Sequence, residues 1–453
     1  MLSAVMSETA IHSYPAGFRP RRGVNWAFIG LLYTSFYMCR YNLSIANGAI
    51  SKEFGFSKAD MGTIITTALL AYACGQWING LLADRFGGKR AMLIGAAGTI
   101  TMNALFGVAS FWGFLGLFVA IRGVDGYLQA FGAPGMVKIN AAWFGHRERG
   151  RFAGIFGFMI NLGRFGIFKL GPALLAGFVF LGMWHVPPLH WRWLFWAPAM
   201  ITAVVATGMA IFVKDTPELA GYPSPNPQET QGGHVQTGTL QVLKTILSNP
   251  VIWIVAGAYA CTGAVRQGID QWFPRYLSDV HHINFESAQF QWVAFLIPFV
   301  ASAGSLLSGY LSDTVFKGRR APVAAGLYFI ETAVILLATL YHTPNSAIFF
   351  FVLISFTANS THSILGTAAA MDIGGAKMAG FASGVIDSFQ YFGGSLAGYF
   401  LGLLLDRSWD YYFYFMAPFG LVGGLLMLTI LGRVTLSKET SSAARTADSD
   451  VTD

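Results

Sequence analysis

Charge is what this chain lacks. Only 11% of its 453 residues are charged, against 54% hydrophobic, whereas soluble globular domains run at roughly 25% charged. That shortage excludes a soluble enzyme of this size, which would need far more polar surface. Cysteine is scarce as well. Cys39, Cys74 and Cys261 fall in apolar runs without metal-ligand spacing, so they read as buried free thiols and not as a disulfide frame or a metal site. No nucleophile–base pair, metal cluster or phosphate-cradling Gly loop stands out, and nothing implies a cofactor or an enzyme. The formal charge of +7 would invite nucleic acid as a partner, but no Lys/Arg stripe alternates with aromatics on a polar domain. A signal-peptide core is also missing from the polar residues 1–24, which are expected to stay as a cytoplasmic tail.

What is abundant is apolar and small. The 53 glycines, 39 phenylalanines and 12 tryptophans supply close helix contacts and interfacial aromatics. A bilayer takes about 20 mostly apolar residues per helix, and on that measure twelve spans are expected. The first six lie at 25–48, 59–83, 90–109, 111–143, 150–181 and 192–213. The second six lie at 250–277, 287–312, 321–341, 346–370, 378–405 and 410–432. The fold class is therefore an all-α membrane protein, its bundles spanning residues 25–213 and 250–432. Between them, 214–249 is rich in Pro, Gly, Gln and Thr and reads as a cytoplasmic linker; 433–453 reads as a disordered tail.

Lys and Arg set the orientation. With the first residues inside, eighteen of the 29 fall in inside segments, five in outside loops and six within spans, which places both termini in the cytoplasm. The halves also repeat. Gly80, Asp84 and Arg85, followed by Gly87, Lys89 and Arg90, match Gly309 and Asp313, followed by Lys317 to Arg320. Arg40 and Arg266 lie 226 residues apart, as do Ala153-Gly154 and Ala379-Gly380, setting Asn161 against Asp387 and Arg164 against Gln390. A near-constant offset indicates a duplicated six-helix unit.

The six intramembrane cations are Arg40, Arg122, Lys138, Arg164, Lys169 and Arg266, against the acids Asp125, Asp270, Glu331 and Asp387. Each cation costs roughly 2.5–3.5 kcal/mol at mid-bilayer on insertion scales, and the excess of cations is one an anionic substrate would balance. Arg122 with Asp125, and Arg266 with Asp270, have the spacing of helical ion pairs. For Arg122 a structural pair is the favoured reading. Arg40 has no acid within four residues on either side, so it must face the bundle interior. Arginine at both repeat-related positions suits a phosphate, because a guanidinium donates two parallel hydrogen bonds. Tyr33, Tyr37 and Tyr41 accompany Arg40; Tyr33 and Tyr37 share its face. Each is either packing or a ligand contact.

Gly80 to Arg90 resembles the loop signature of the major facilitator superfamily, with Asp84, Arg85, Arg90, Asp313 and Arg319 as the implied gating residues. One branch matches more closely, the organophosphate:inorganic phosphate antiporters of glycerol phosphate, hexose phosphates and phosphoglycerates. Tyr37-x-x-Arg40-x-Asn42 resembles its first-helix motif. Arg266, Gly268, Asp270, Trp272, Pro274, Tyr276 and Leu277 match its seventh helix, and Trp143-Phe144-x-x-Arg147-Glu148-Arg149-Gly150 its loop after the fourth. The resemblance implies that Arg40 and Arg266 bind the phosphoryl group while Tyr33, Tyr37, Tyr41, Asn161, Arg164, Lys169, Asp270 and Gln390 surround the substrate. It further implies exchange of a phosphate ester for inorganic phosphate by alternating access, in a bacterial inner membrane, by a functional monomer. There are departures. Arg164 stands where the family often has histidine, Lys169 adds a cation, and Arg122-x-x-x-Gly126 resembles facilitators outside the branch. Arg40-x-Asn42-Leu43-Ser44-x-Ala46 is similar to a motif of anion:cation symporters. Two alternatives stay open: a proton-coupled symporter of a carboxylate or phosphonate, using Asp387, Glu331 or Asp125, and a transporter-like sugar-phosphate sensor.

Overall fold

A computed structural model of the chain describes residues 14–145, 149–180, 182–225, 248–369 and 384–431. In the first half, helices run over Phe18–Phe54 (α1), Lys58–Phe86 (α2), Gly88–Ala109 (α3), Leu115–Gln129 (α4), Gly132–Trp143 (α5), Arg149–Ala176 (α6) and Trp193–Phe212 (α7). The second half has Pro250–His281 (α8), Ala288–Thr314 (α9), Arg320–Ala338 (α10), Pro344–Ser363 (α11), 384–396 (α12), Tyr399–Arg407 (α13) and Tyr411–Leu428 (α14). Residues Ile364–Ala369 extend α11 as a π-helical turn.

Local signals start several of these helices. Ser57 caps α2 by accepting from the Asp60 amide at 3.0 Å while the Asp60 carboxylate accepts from the Ser57 amide at 2.9 Å, a reciprocal capping box. Asn249 caps α8, with Pro250 in the first turn where its missing N–H costs nothing. Glycine lets helices approach closely. A Cβ on Gly263 of α8 would lie 1.8 Å from the Gln390 carbonyl oxygen of α12, and one on Gly393 would lie 1.9 Å from the Ala260 carbonyl oxygen. These two positions set the α8–α12 spacing.

Eight described helices are long and apolar enough to cross a membrane by length and composition: α2, α3, the 157–176 part of α6, α7, α9, α10, α11 with its π turn, and α14. The remaining four expected spans are the polar or interrupted ones. α1 and α8 are long but carry Arg40 and Arg266 with their polar neighbours, and α4/α5 and α12/α13 are each broken into two. The span expected at 111–143 starts at Leu115 and breaks at Ala130–Phe131. Pro134 explains the break, because its ring lacks an N–H and clashes with the carbonyl four residues back. The span expected at 378–405 breaks at Ala397–Gly398. The backbone groups released there are satisfied by the other half and by α8. The Thr66 hydroxyl donates to the Ser395 carbonyl at 2.7 Å and accepts from the Tyr399 amide at 2.8 Å, and Trp272 Nε1 donates to the Ala397 carbonyl at 2.7 Å.

Other boundaries move. The expected tail 1–24 is already helical from Phe18, where Phe18 stacks on Tyr14 and on Trp143. The span expected at 150–181 ends at Ala176 and is followed by a two-stranded antiparallel hairpin, Phe178–Phe180 with Trp184–Val186, that was not expected. The start of the expected linker packs on the first half: the Lys214 carbonyl accepts from Trp143 Nε1 at 2.9 Å, and the Lys214 amide donates to Asn25 at 3.1 Å. Residues 226–247 of that linker, the tail 433–453, Arg147, Glu148 and the Ala379-Gly380 landmark lie outside the described residues. Cys39 and Cys261 are buried free thiols, but Cys74 is exposed, on a flank of α2 that packing leaves open.

The halves meet along α1–α8, α2–α13 and α6–α9. Replacing Gly393 with alanine forces backbone out of the way, and overpacking of this kind costs about 1–3 kcal/mol. Gly393→Ala is therefore expected to lower the thermal unfolding midpoint of the detergent-purified protein by several degrees, and Gly48→Ala, where no atom lies within 4 Å, to leave it unchanged.

Candidate functional site

α1 carries Arg40 at mid-helix, 7% exposed. Its Nε donates to Gln129 Oε1 at 3.1 Å and its Nη1 to the Tyr391 hydroxyl of the opposite half at 3.1 Å. The guanidinium lies over three rings, Tyr72 at 4.2 Å, Tyr37 at 4.6 Å and Tyr391 at 5.8 Å, an arrangement that stabilises a desolvated cation. Nη2 has no hydrogen-bond partner, and no described carboxylate lies within ion-pair distance of this arginine. A small cavity opens beside it, lined by Arg40, Tyr72, Arg122, Asp125, Gln129, Gln271 and Tyr391, with Leu43, Ile65 and Leu69 among its apolar walls.

α8 brings Arg266, 3% exposed, from the other half. Its Nη1 lies 3.5 Å from His362 Nδ1 and its Nε 3.9 Å from Asp270 Oδ2. Asp270 is shared, because its Oδ1 also accepts from Arg164 Nη2, a buried ion pair across the two halves. Arg164 Nη1 donates to Asn161 Oδ1 at 3.0 Å, and Asn161 Nδ2 donates to Ser302 at 2.7 Å, again across the halves. Tyr37 and Tyr391 lie within electrostatic reach of both Arg40 and Arg266. Both arginines are thus buried inside the bundle instead of facing lipid, Arg40 on the cavity wall and Arg266 outside that lining.

Below them, on the side of the Gly80–Arg90 loop, Asp387 accepts from Gln76 Nε2 at 2.6 Å and from the Tyr259 hydroxyl at 3.4 Å. The Tyr259 hydroxyl also hydrogen-bonds His362. Gln390 is fully buried and neither of its side-chain polar atoms has a partner. Tyr41 accepts from Gln267 Nε2 at 3.5 Å and sits under Arg164 at 5.7 Å, while Tyr33 packs against Phe36 and Tyr37.

Several expected residues sit elsewhere. Lys169 is turned away from the cavity; its Nζ donates to the backbone carbonyl and side chain of Gln291 at 2.9 and 2.7 Å, at the end of the membrane opposite the Gly80–Arg90 loop. Lys138 reaches the loop end and contacts the Asp84 carboxylate at 3.3 Å and carbonyl at 2.7 Å. Long lysine stems allow this snorkelling. With both gone from the interior, the excess of cations over acids vanishes from the formal count. Four buried arginines face Asp125, Asp270, Glu331 and Asp387. The imbalance is local instead, since one carboxylate serves Arg164 and Arg266 and none serves Arg40. Arg122 is an ion pair with Asp125 at 2.9 Å and also donates to the Cys39 and Arg40 carbonyls at 3.1 and 3.0 Å, while its Nε is left without a partner. Glu331 lies apart on α10, where it accepts from Thr357 at 3.4 Å. Among the expected gating residues, Asp84 takes Lys138 and Asp313 takes Arg320, at 2.6 Å, instead of Arg319; Arg85, Arg90 and Arg319 are exposed.

Sequence reasoning missed Tyr72, Gln76, Gln129, Tyr259, Gln271, His362 and Tyr391. Gln129 was findable, lying four residues past Asp125 and seven past Arg122 on one helical face. Tyr72 and Gln76 likewise share a face of an otherwise apolar helix. Nothing local marks His362.

Hydrogen bonds join the halves from the cavity outward. Asp406 of α13 accepts from the Lys58 and Ala59 amides at 2.7 and 2.9 Å, capping the N-terminus of α2, and Arg275 donates to Asn47 and Ser51 at 2.7 and 3.0 Å. Glycines allow this approach: a Cβ on Gly402 would meet the Lys58 carbonyl oxygen at 2.5 Å.

A helical protein of two packed halves, with buried arginines in both and a cavity lined by Arg40 between them, is a multi-pass membrane transporter and not an enzyme. Residues 29–398 match the family model described as Major Facilitator Superfamily, and the chain belongs to that superfamily. Its relatives include transporters of phosphate esters. It is 28% identical over 401 residues to a glycerol-3-phosphate transporter of Bacillus subtilis (strain 168), covering 84% of this chain and 86% of the relative. It is 28% identical over 425 residues to the membrane sensor protein UhpC of Escherichia coli (strain K12), covering 90% and 91%. A phosphoglycerate transporter protein of Salmonella typhimurium is 27% identical over 443 residues, covering 93% and 91%. Among solved structures, an inward-facing, unoccupied bacterial homolog of the human lysosomal transporter Spinster shares the fold, with TM-score 0.74 at 17% identity over 91% of this chain and 98% of that one.

If the Asp406 cap holds the outer halves together, Asp406→Ala removes two charge-assisted bonds. Thr66→Cys at the same seam is then expected to react several-fold faster with an impermeant thiol reagent in the Asp406→Ala background than alone, measured by labelling in sealed vesicles.

Proposed function

We propose that this protein exchanges an organic phosphate ester for inorganic phosphate across the membrane by alternating access of one central cavity. The observation that carries the reading is Arg40, buried, held by rings and a neutral amide, with one donor unpaired and no carboxylate against it. A desolvated guanidinium of that kind calls for an anion. Arginine's planar fork suits the phosphoryl group, and relatives that are glycerol phosphate, probable hexose phosphate and phosphoglycerate transporters point to the same chemistry.

In this mechanism Arg40 and Arg266 bind the phosphoryl oxygens from opposite halves. Tyr37 and Tyr391 flank the group, and Arg164 is held in reserve on Asp270. The anion neutralises two guanidiniums that otherwise repel as the halves close, which lowers the barrier to switching. The empty carrier does not close, so net movement requires a counter-anion. The joints between the halves are hydrogen bonds and ion pairs that water can replace, which suits rocking. The excess of Lys and Arg places the Gly80–Arg90 loop, and both termini, in the cytoplasm. Residues 214–249 link the bundles there, and the inner membrane of a bacterium is the expected site. The site lies between two halves of one chain, so a monomer suffices.

Vesicles preloaded with inorganic phosphate are expected to take up labelled glycerol phosphate, hexose phosphate or phosphoglycerate far faster than empty ones. Equal uptake by empty vesicles rules exchange out. Arg40→Lys and Arg266→Lys each lose a two-point contact and are expected to lower kcat/KM by about a hundredfold. The relative named a membrane sensor supports a second reading, reported by ligand binding without flux in the same vesicles.

A further inference from the structure

Gln271 was singled out by no motif, yet it is 4% exposed and lines the cavity beside Arg40. Its amide is tethered at one end only. Nε2 donates to Gln267 Oε1 at 3.2 Å, and Gln267 Nε2 in turn donates to the Tyr41 hydroxyl at 3.5 Å. That chain turns the nitrogen of Gln271 back toward its own helix and leaves Oε1 without a partner. A buried acceptor left unpaired is costly, so it marks a place where a ligand completes the hydrogen bond. The other unpaired groups of the cavity-lining residues, Arg40 Nη2, Arg122 Nε and the Tyr72 hydroxyl, are donors. Gln129 is the poorer acceptor, because one lone pair of its Oε1 already takes the charged Arg40 Nε–H.

From this juxtaposition we infer that Gln271 is the specificity-determining residue that reads a hydroxyl on the organic moiety. Its Oε1 accepts from a carbon-borne hydroxyl while Arg40 and Tyr72 hold acidic oxygens. The cavity therefore favours hydroxylated phosphate esters over alkyl phosphates of the same length. The inference rests on the reading of the cavity as an organophosphate site, and the test separates the two.

The full-length protein in proteoliposomes is assayed for exchange of labelled inorganic phosphate against internal inorganic phosphate, with glycerol 3-phosphate and propyl phosphate as competing inhibitors. In the wild type, glycerol 3-phosphate is expected to inhibit about tenfold more strongly than propyl phosphate. Gln271→Met, similar in size but without the acceptor, is expected to retain phosphate exchange and to bring the two inhibition constants together. Gln271→Asn, which draws the acceptor back by one methylene, is expected to narrow the ratio in the same direction and serves if the methionine variant does not fold. An unchanged ratio in a variant that still exchanges phosphate overturns the inference, as do equal constants in the wild type. Loss of phosphate exchange together with the ratio also overturns it, because Gln271 would then support the site as a whole. If the wild type exchanges no phosphate at all, it is the organophosphate reading that fails.

Discussion

A guanidinium kept out of water needs something to compensate it, and most of this molecule's interior follows from that need. Four buried arginines are each answered differently. Arg122 has a carboxylate three residues away and two backbone carbonyls of α1, which makes it a strut between α4 and α1. Arg164 takes Asp270 from the opposite half. Arg266 shares that carboxylate at longer range, and Arg40 has only rings, a glutamine and a tyrosine hydroxyl. Of the two arginines that line the cavity, Arg122 has a carboxylate and Arg40 has none. A buried ion pair adds little net stability because desolvation offsets the attraction. Arg164–Asp270 is better understood as setting which surfaces of the two halves meet.

The same interior explains why the two bundles are not equally polar along their length. At the end away from the Gly80–Arg90 loop, the contact between halves includes backbone groups, with the Asp406 carboxylate on two amides and Thr66 on both sides of a helix break, beside the side-chain bonds of Arg275 and Lys169. In the middle it uses side chains that can trade partners with an incoming anion.

Much of this was legible in the residues. Scarce charge, twenty-residue apolar stretches and the 226-residue repeat led to two bundles of helices, because lipid demands that backbone polar groups be paired within a segment. The two arginines followed from the same logic, as did the Arg122–Asp125 pair at helical spacing. The breaks in the fourth and eleventh spans were not read, although Pro134 and Gly398 were in plain sight, because each break is tolerated only where a neighbour satisfies the freed groups. Lys138 and Lys169 were placed inside the membrane, whereas their long side chains carry the charge to opposite ends.

Composition and periodicity alone determined that the chain crosses a membrane many times and that arginines must face inward. These are one-dimensional consequences of hydrophobic length and charge cost. Which groups meet across the interface was decided by tertiary packing. Tyr391 on Arg40, Asp270 on Arg164, Gln76 on Asp387 and Asp406 on the start of α2 join residues 106 or more positions apart, and no local spacing encodes the rotation of one helix against another. The glycine contacts that fix those rotations act through the absence of a side chain, and what an absent Cβ would have struck is known only once the second helix is in place.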